Sequence, residues 1–231
     1  MATSGTANWS PSLVDIFQEA YERIGVPMRT GYDYVTAVRS FQLLVVELAN
    51  RGLNMWTFDT ESLSLTPGTT SYSLPADTVD VLDGTIRINA GNTSTQSDLV
   101  ISRTSWSDYM AIPNKLSQGQ PTQFAILRET ANPVIYFYLT PDSTQTYTFF
   151  YSRLRRIQDA GTSPTNTIDT PFRFLDAVIA GLAYRLASKR RESMSLVPQL
   201  KQVYEEAIEL AQSEDRERAS IMLVPYVEQS F

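Results

Sequence analysis

The sequence predicts an α+β fold: a four-helix bundle formed by N- and C-terminal helices, an inserted antiparallel β domain and an extended C-terminal arm. Three observations support this. Apolar residues recur at helical spacing before Arg51 and again after Pro171, whereas the period falls to two between them. The change occurs in one run from Arg51 to Asp83, RGLNMWTFDTESLSLTPGTTSYSLPADTVDVLD, where a glycine stop, an aromatic neck and a Pro-Gly turn follow one another. Beyond the last helical pattern a charged stretch gives way to seven largely apolar residues, where segments outside a fold are normally polar. The expected parts are a bundle of residues 1–57 and 165–219, a β domain over 58–164 and a docking arm over 220–231. Amphipathic helices on both sides of a sheet must meet in space, because none buries its stripe alone.

The first helix is expected from Pro11 to about Ile24, with Ser10 as cap and Pro11 at the first position, where its missing donor costs nothing. Leu13, Phe17, Ala20, Tyr21 and Ile24 form its stripe, and Gly25 and Pro27 end it. A second helix spans Asp33 to Arg51, with Val38, Phe41, Val45 and Leu48 as its stripe, widened by Leu44 and Ala49. Gly52 stops it by taking the left-handed conformation. The short turn between the two predicts an antiparallel helical hairpin.

From Phe58 the pattern is that of strands. Leu63 and Leu65 alternate with serines, Thr66-Pro67-Gly68-Thr69 has the composition of a type II turn, and Tyr72 and Leu74 continue the alternation on a return strand. Further strands are expected at Thr85–Ile88, Leu99–Arg103, Phe124–Leu127, Val134–Leu139 and Tyr147–Arg153. The last two are read as a hairpin joined through Pro141-Asp142. Gly91–Ser97 is a polar loop tip, and Ser105–Ile112 a short helix with Ser105 and Asp108 at capping-box spacing. Asp159–Asn166 (DAGTSPTN) links back to a third helix from Pro171 to Arg190, capped by Thr170, with Leu175, Val178, Ile179, Leu182 and Leu186 as its stripe. A fourth helix runs from Leu196 to Ser213 with Leu200, Val203, Tyr204, Ala207 and Ala211 inward.

Composition narrows the chemistry. The 231-residue chain has no cysteine, hence no disulfide framework, thiol nucleophile or zinc–thiolate site, and no histidine, the usual general base and commonest transition-metal ligand. A formal charge of -6 disfavours phosphate-gripping DNA or anionic-membrane binding; it suits a surface past which DNA slides, and it is equally the commonest charge state of a soluble protein. The opening residues MATSGTANWSPS lack the features of a signal peptide, and no apolar run approaches the ~20 residues of a membrane helix. A soluble, cytosolic, non-catalytic protein is expected, with no cofactor, no metal and no catalytic residue.

The candidate clusters point the same way. Asp77, Asp80 and Asp83 are spaced at threes, whereas calcium loops alternate their ligands and end in a bidentate Glu, so strand-edge turns are expected. Glu205, Glu206 and Glu209 with Lys201 read as a solvated helix face. Arg153, Arg155 and Arg156 form a basic spot, as do Lys189, Arg190 and Arg191. The first group is read as solvated, as pairing with a partner subunit or as touching phosphate. No phosphate-cradling loop, nucleophile elbow or dinucleotide fingerprint occurs. After the charged stretch Glu214–Arg218, the arm offers Ile221, Met222, Leu223, Val224, Pro225, Tyr226, Val227 and finally Phe231. Pro225 interrupts any helix and leaves an extended peptide, which either packs back on its own domain or docks on another chain.

In Leu44–Trp56 (LVVELANRGLNMW), in Leu63–Pro75 (LSLTPGTTSYSLP) and in the C-terminus after the last helix, the chain resembles the head-to-tail adaptor (connector) proteins of short-tailed, podovirus-type bacteriophages, of the tail tubular protein A-like kind. The resemblance implies a structural protein of the virion neck and tail, assembled in the host cytoplasm. It implies a ring, commonly of twelve copies, between the portal and the tail nozzle, helping to retain DNA and conducting it through the lumen without sequence-specific binding. By position, Ser220–Phe231 would be the portal-docking arm, and loops within Phe58–Arg156 would meet the nozzle or tail fibres. The residues alone also admit a β-rich receptor- or glycan-binding tail component, for which Trp106 and Tyr109 are the loop-region aromatic pair.

Overall fold

A computed structural model describes residues 9–29, 31–51 and 55–215. The fold is mixed α+β. Its elements are α1 (Leu13–Arg23), α2 (Gly31–Asn50), β1 (Phe58–Leu65), β2 (Ser71–Ser73), β3 (Thr78–Ile88), β4 (Ser97–Val100), β5 (Ser102–Arg103) and α3 (Trp106–Ala111), followed by β6 (Gln118–Gly119), β7 (Gln123–Leu127), β8 (Val134–Tyr138), β9 (Thr140–Pro141), β10 (Tyr147–Arg155), α4 (Leu175–Ala187) and α5 (Val197–Glu214). The chain forms two compact units. One is built around Val14–Ser40 and the chain from Pro171 on; the other joins Pro11–Leu13 to Phe41–Thr170.

In the helical unit, α1 ends where Gly25 takes a φ of +73° and the N–H of Val26 returns to the Tyr21 carbonyl at 3.1 Å, the left-handed stop its sequence predicts. The amino end differs from expectation. The helix begins at Leu13, two residues after Pro11, and the Leu13 N–H donates to the Asn166 carbonyl at 2.8 Å. Small residues bring helix backbones close along α4, where Ala177, Ala180, Gly181, Ala183 and Ala187 are buried beside the expected Leu175, Val178, Ile179, Leu182 and Leu186. It packs on α5, where Tyr184 and Tyr204 lie near parallel with ring centroids 6.5 Å apart. Thr170 does not cap this helix. A 3-10 turn, Phe172–Phe174, precedes it with Pro171 at its cap, and the buried Thr170 hydroxyl has no hydrogen-bond partner among the described residues. On α5 the buried residues are Tyr204, Ile208 and Ala211, whereas Val203 faces solvent. Gly52, expected to stop α2, lies outside the described residues.

The β unit departs further from simple reading. Two four-stranded sheets, ordered β1-β10-β3-β4 and β2-β8-β7-β5, share one core. Phe149 of β10 stands at its centre, with Phe124 and Phe137 of the opposite sheet at centroid distances of 5.5 and 5.1 Å. Neither expected hairpin forms. The Pro-Gly turn is present, with Gly68 at φ +77° and the Thr69 N–H bonded to the Thr66 carbonyl at 3.1 Å, yet β1 pairs with β10 while β2 pairs with β8. Likewise β8 pairs with β7 and β2, and β10 with β1 and β3, so the Pro141-Asp142 connection crosses between sheets. The expected strand Leu99–Arg103 is two strands: β4 joins β3, β5 joins β7 in parallel, and buried Ile101 turns between them. All three corrections have one cause. Alternation reports which face of a strand is buried, and in a two-sheet core that face is the same whichever sheet receives the next strand.

Candidate functional site

Two arginines of the basic spot, Arg153 and Arg155, are internal ties of the β unit, whereas Arg156 is exposed. Arg153 is only 5 % exposed, since β10 places it on the inner side of its sheet beside β1 and the start of β3. Its Nη1 donates to Asp77 Oδ1 at 2.6 Å and Thr78 Oγ1 at 3.1 Å, and its Nη2 to Asp59 Oδ2 at 3.0 Å and Glu61 Oε1 at 3.2 Å. Burial opposes the charge, but hydrogen bonding to and attraction by Asp77 and Asp59 outweigh it and raise the guanidinium's pKa. Arg155 clasps Asp169 through two bonds of 2.5 and 3.2 Å, which raises its pKa against the opposing effect of burial. Asp169 also receives the Gln158 N–H at 2.9 Å and, on its carbonyl, the Trp56 indole N–H at 3.2 Å. Arg153 and Arg155 are therefore structural ties, not a surface offered to phosphate.

The spaced aspartates serve the same end. Asp77 belongs to the Arg153 network, and Asp80 on β3 receives Arg103 at 2.9 Å and Arg128 at 2.6 Å. Asp80 and Asp83 lie within a strand instead of at its edge turn. Among the described residues no group of three or more His, Cys, Asp or Glu side chains is arranged to hold a metal. Trp106 and Tyr109 stack at 5.5 Å on α3, and both lie against Tyr136 of β8 at 5.1 and 5.5 Å. The helix start is capped as expected, the Asp108 N–H donating to Ser105 Oγ at 3.1 Å. This pair holds α3 to the sheet.

In the helical unit, Asp33 draws several elements together. Its carbonyl accepts the Tyr21 hydroxyl at 2.9 Å, and its carboxylate accepts the Arg29 N–H at 3.1 Å and Arg190 at 2.5 Å. Burial raises the Tyr21 pKa, partly offset by Arg190. Lys189 donates to Ser40 Oγ at 2.6 Å; burial, then the like charges of Arg185 and Arg39, lower its pKa. Of the second basic spot, Arg190 is clasped by Asp33 and Lys189 bonds Ser40, while Arg191 is exposed. Of the expected solvated face of α5, Glu206 and Glu209 are exposed with Lys201, whereas Glu205 is half-buried, and Gln202 donates to Glu206 at 2.8 Å. At the end of α5, Asp215 pairs with Arg173, which fixes where the chain leaves the helix. The arm residues Ile221 to Val227 and Phe231 lie outside the described residues.

Sequence reasoning missed a second apolar stripe on α2. Tyr32, Val35, Leu43 and Val46 are exposed, on the side opposite the buried Phe41, Leu44 and Leu48. The signal was present in their spacing of three, eight and three residues, which keeps them on one helical face, but the core stripe drew attention first. Beside Val46, a groove of about 270 Å³ is lined by Phe41, Gln42, Val45, Ile157, Asp159 and Ala160. A second groove, of about 290 Å³, lies on the β1-β10-β3-β4 sheet among Thr60, Asp83, Thr85, Val100, Phe150 and Ser152. Both grooves are lined mainly by apolar and hydroxyl groups, and the carboxylate of the first, Asp159, accepts from Gln42 Nε2 at 3.5 Å and from the Gly161 N–H at 2.9 Å.

Comparison with known families matches residues 3–225 to the family described as SU10 adaptor protein. No curated protein matches the chain.

Proposed function

The chain belongs to the SU10 adaptor protein family, and on that premise we propose that it forms the ring joining the portal of its phage to the tail nozzle. Membership makes it a structural adaptor of a bacteriophage, located at the virion neck, that oligomerises and associates with portal and tail proteins. The proposal is finer. Twelve copies surround a lumen that conducts DNA and helps to retain it, without sequence-specific contacts and without catalysis. Residues 1–57 and 165–219 form a four-helix bundle, residues 58–164 a β domain whose loops meet the nozzle or tail fibres, and residues 220–231 an arm. The ring assembles in the host cytoplasm.

The observation that carries this reading is the extent of the family match, which covers nearly the whole chain and continues through Met222–Pro225 in the apolar segment. The acidic net charge supports a lumen past which DNA slides. Leu223, Val224 and Tyr226 are the proposed anchors on the portal. Each copy contributes modestly at ~25 cal/mol per Å² before the cost of ordering a peptide, and repetition around a ring multiplies the effect.

Single-particle imaging of the protein bound to its portal tests the assembly, and a complex without a ring would refute it. Truncation after Ala219 tests the arm. The shortened monomer is expected to melt within about 2 °C of the full chain, a shift corresponding to about 0.5–1 kcal/mol at this length, and to lose portal binding. A much earlier melt would mean that the segment packs on its own domain.

A further inference from the structure

We propose that the outward face of α2 in one copy packs on the outward face of α5 in the next, forming the head-to-tail contact from which the ring is built. The inference rests on the ring reading and assigns it two surfaces.

On an α-helix, positions 32, 35, 39, 43 and 46 fall along one narrow stripe. Four of them are apolar, and Tyr32 is 78 % exposed and Leu43 and Val46 each 57 %. A continuous run of this kind differs from the isolated apolar residues that any surface carries. The apolar groove beside Val46 extends the stripe. On α5, Val203 and Leu210 are one heptad apart, with exposed Glu206 between them and Tyr204, Ile208 and Ala211 on the buried side. Leu210 is 69 % exposed. The α2 stripe is an apolar seam of the kind helix pairing uses, and α5 offers two apolar residues at heptad spacing to meet it.

Charge selects the pairing. The α2 stripe is centred on exposed Arg39, and Lys189 lies beside it through its bond to Ser40 Oγ. The α5 face carries Glu206 and Glu209. Pairing α2 with α2 would set Arg39 near Arg39, and pairing α5 with α5 would oppose carboxylates. Pairing α2 with α5 brings opposite signs together. Two different faces make a heterologous contact, which closes into a ring when its rotation permits.

The chain contains no cysteine, so introduced thiols report cleanly. Leu43→Cys and Leu210→Cys proteins, each checked for an unchanged melting temperature, are mixed and treated with a short bis-maleimide, alone and with the portal protein. Links between the two variants are expected, with little linking within either, and the double variant should give a ladder of oligomers. Arg39→Glu and Glu206→Arg should each weaken assembly by about tenfold or more, through like-charge juxtaposition, and their combination should restore it. Self-linking of Leu43→Cys would overturn the proposal in favour of a two-fold α2 contact. Preferential linking of Leu43→Cys to Val224→Cys would overturn it in favour of the C-terminal segment as occupant. Oligomers by native mass spectrometry without α2–α5 links would overturn the contact and leave the ring reading standing. A monomer in every sample, portal included, would overturn both.

Discussion

The β sandwich and the helices weight their surplus chemistry differently, although the helices too pair Arg23 with Asp176 and Arg190 with Asp33. In the sandwich, Arg87, Arg103, Arg128, Arg153 and Arg155 each meet a carboxylate of the same unit, and the large aromatics converge on Phe149. The helices turn apolar side chains both inward and outward, with Phe41, Leu44 and Leu48 buried on α2 and Tyr32, Val35, Leu43 and Val46 exposed on its far side. Charges already neutralised within one chain offer a partner little, whereas exposed apolar surface gains about 25 cal/mol per Å² when covered. The sandwich also leaves Val100 84 % and Leu116 74 % exposed, so the difference is one of balance between charge pairing within a unit and apolar surface left open.

The largest expected effect lies at the centre of the scaffold. Phe149→Ala removes the ring that touches Phe124, Phe137 and Tyr151, and should cost about 3–5 kcal/mol in urea unfolding of the monomer. A loss below about 1 kcal/mol would mean that the two sheets do not share this core. Next comes Arg153→Met, which keeps volume but leaves Asp59, Glu61 and Asp77 facing one another. Those carboxylates are partly exposed and can hydrate, so the expected loss is about 2 kcal/mol, below the roughly 3–5 of a fully buried pair. If Arg153→Met were neutral, the network would be dispensable and the contrast drawn above would lose its electrostatic half.

How far the sequence foretold this depends on the kind of contact. The helices were legible because their stripes are local: Leu13, Phe17 and Tyr21, or Val178, Leu182 and Leu186, mark one face through spacing alone, and Gly25 marks a stop. The turn at Pro67-Gly68 and the Ser105 cap were legible for the same reason. Strand partners were not. Phe58 lies opposite Leu154 across 96 positions, and nothing in either segment names the other. The arginines at 153 and 155 were misread because a charge run does not say which face of a strand it occupies until the register is known. The outer α2 stripe was readable but overlooked, since Leu43 and Val46 adjoin the stronger core signal at Leu44 and Val45.

On the helices the expected effect on the monomer is small. Leu43→Ser and Leu210→Ser should each change unfolding free energy by no more than about 0.5 kcal/mol, as for exposed positions generally. Matched urea curves for these variants and for Phe149→Ala sharpen the comparison directly. If either serine variant lost more than about 1 kcal/mol, that side chain would be serving its own fold and not an external surface.

The smallest effect belongs to the exposed margin of the sandwich, where Arg87 of β3 clasps Asp98 of β4 through bonds of 2.8 and 2.7 Å and lies 4.3 Å over the Phe150 ring. The hydrogen bond from Arg87 is the main cause that holds the Asp98 carboxyl below its ordinary range, with a further contribution from the guanidinium charge. A carboxyl whose folded pKa is depressed contributes stability that is fully present above its unfolded pKa, about 3.9, and is lost as pH falls through the lower folded value. Asp98→Asn should therefore be slightly less stable than the parent at neutral pH, and the two urea curves should converge as the solution is acidified below that range. Salt should narrow the gap at neutral pH, because both partners are open to solvent. A difference that persisted unchanged into strong acid would show that Asp98 acts through uncharged hydrogen bonding at the strand edge, and the charge account of this margin would fail.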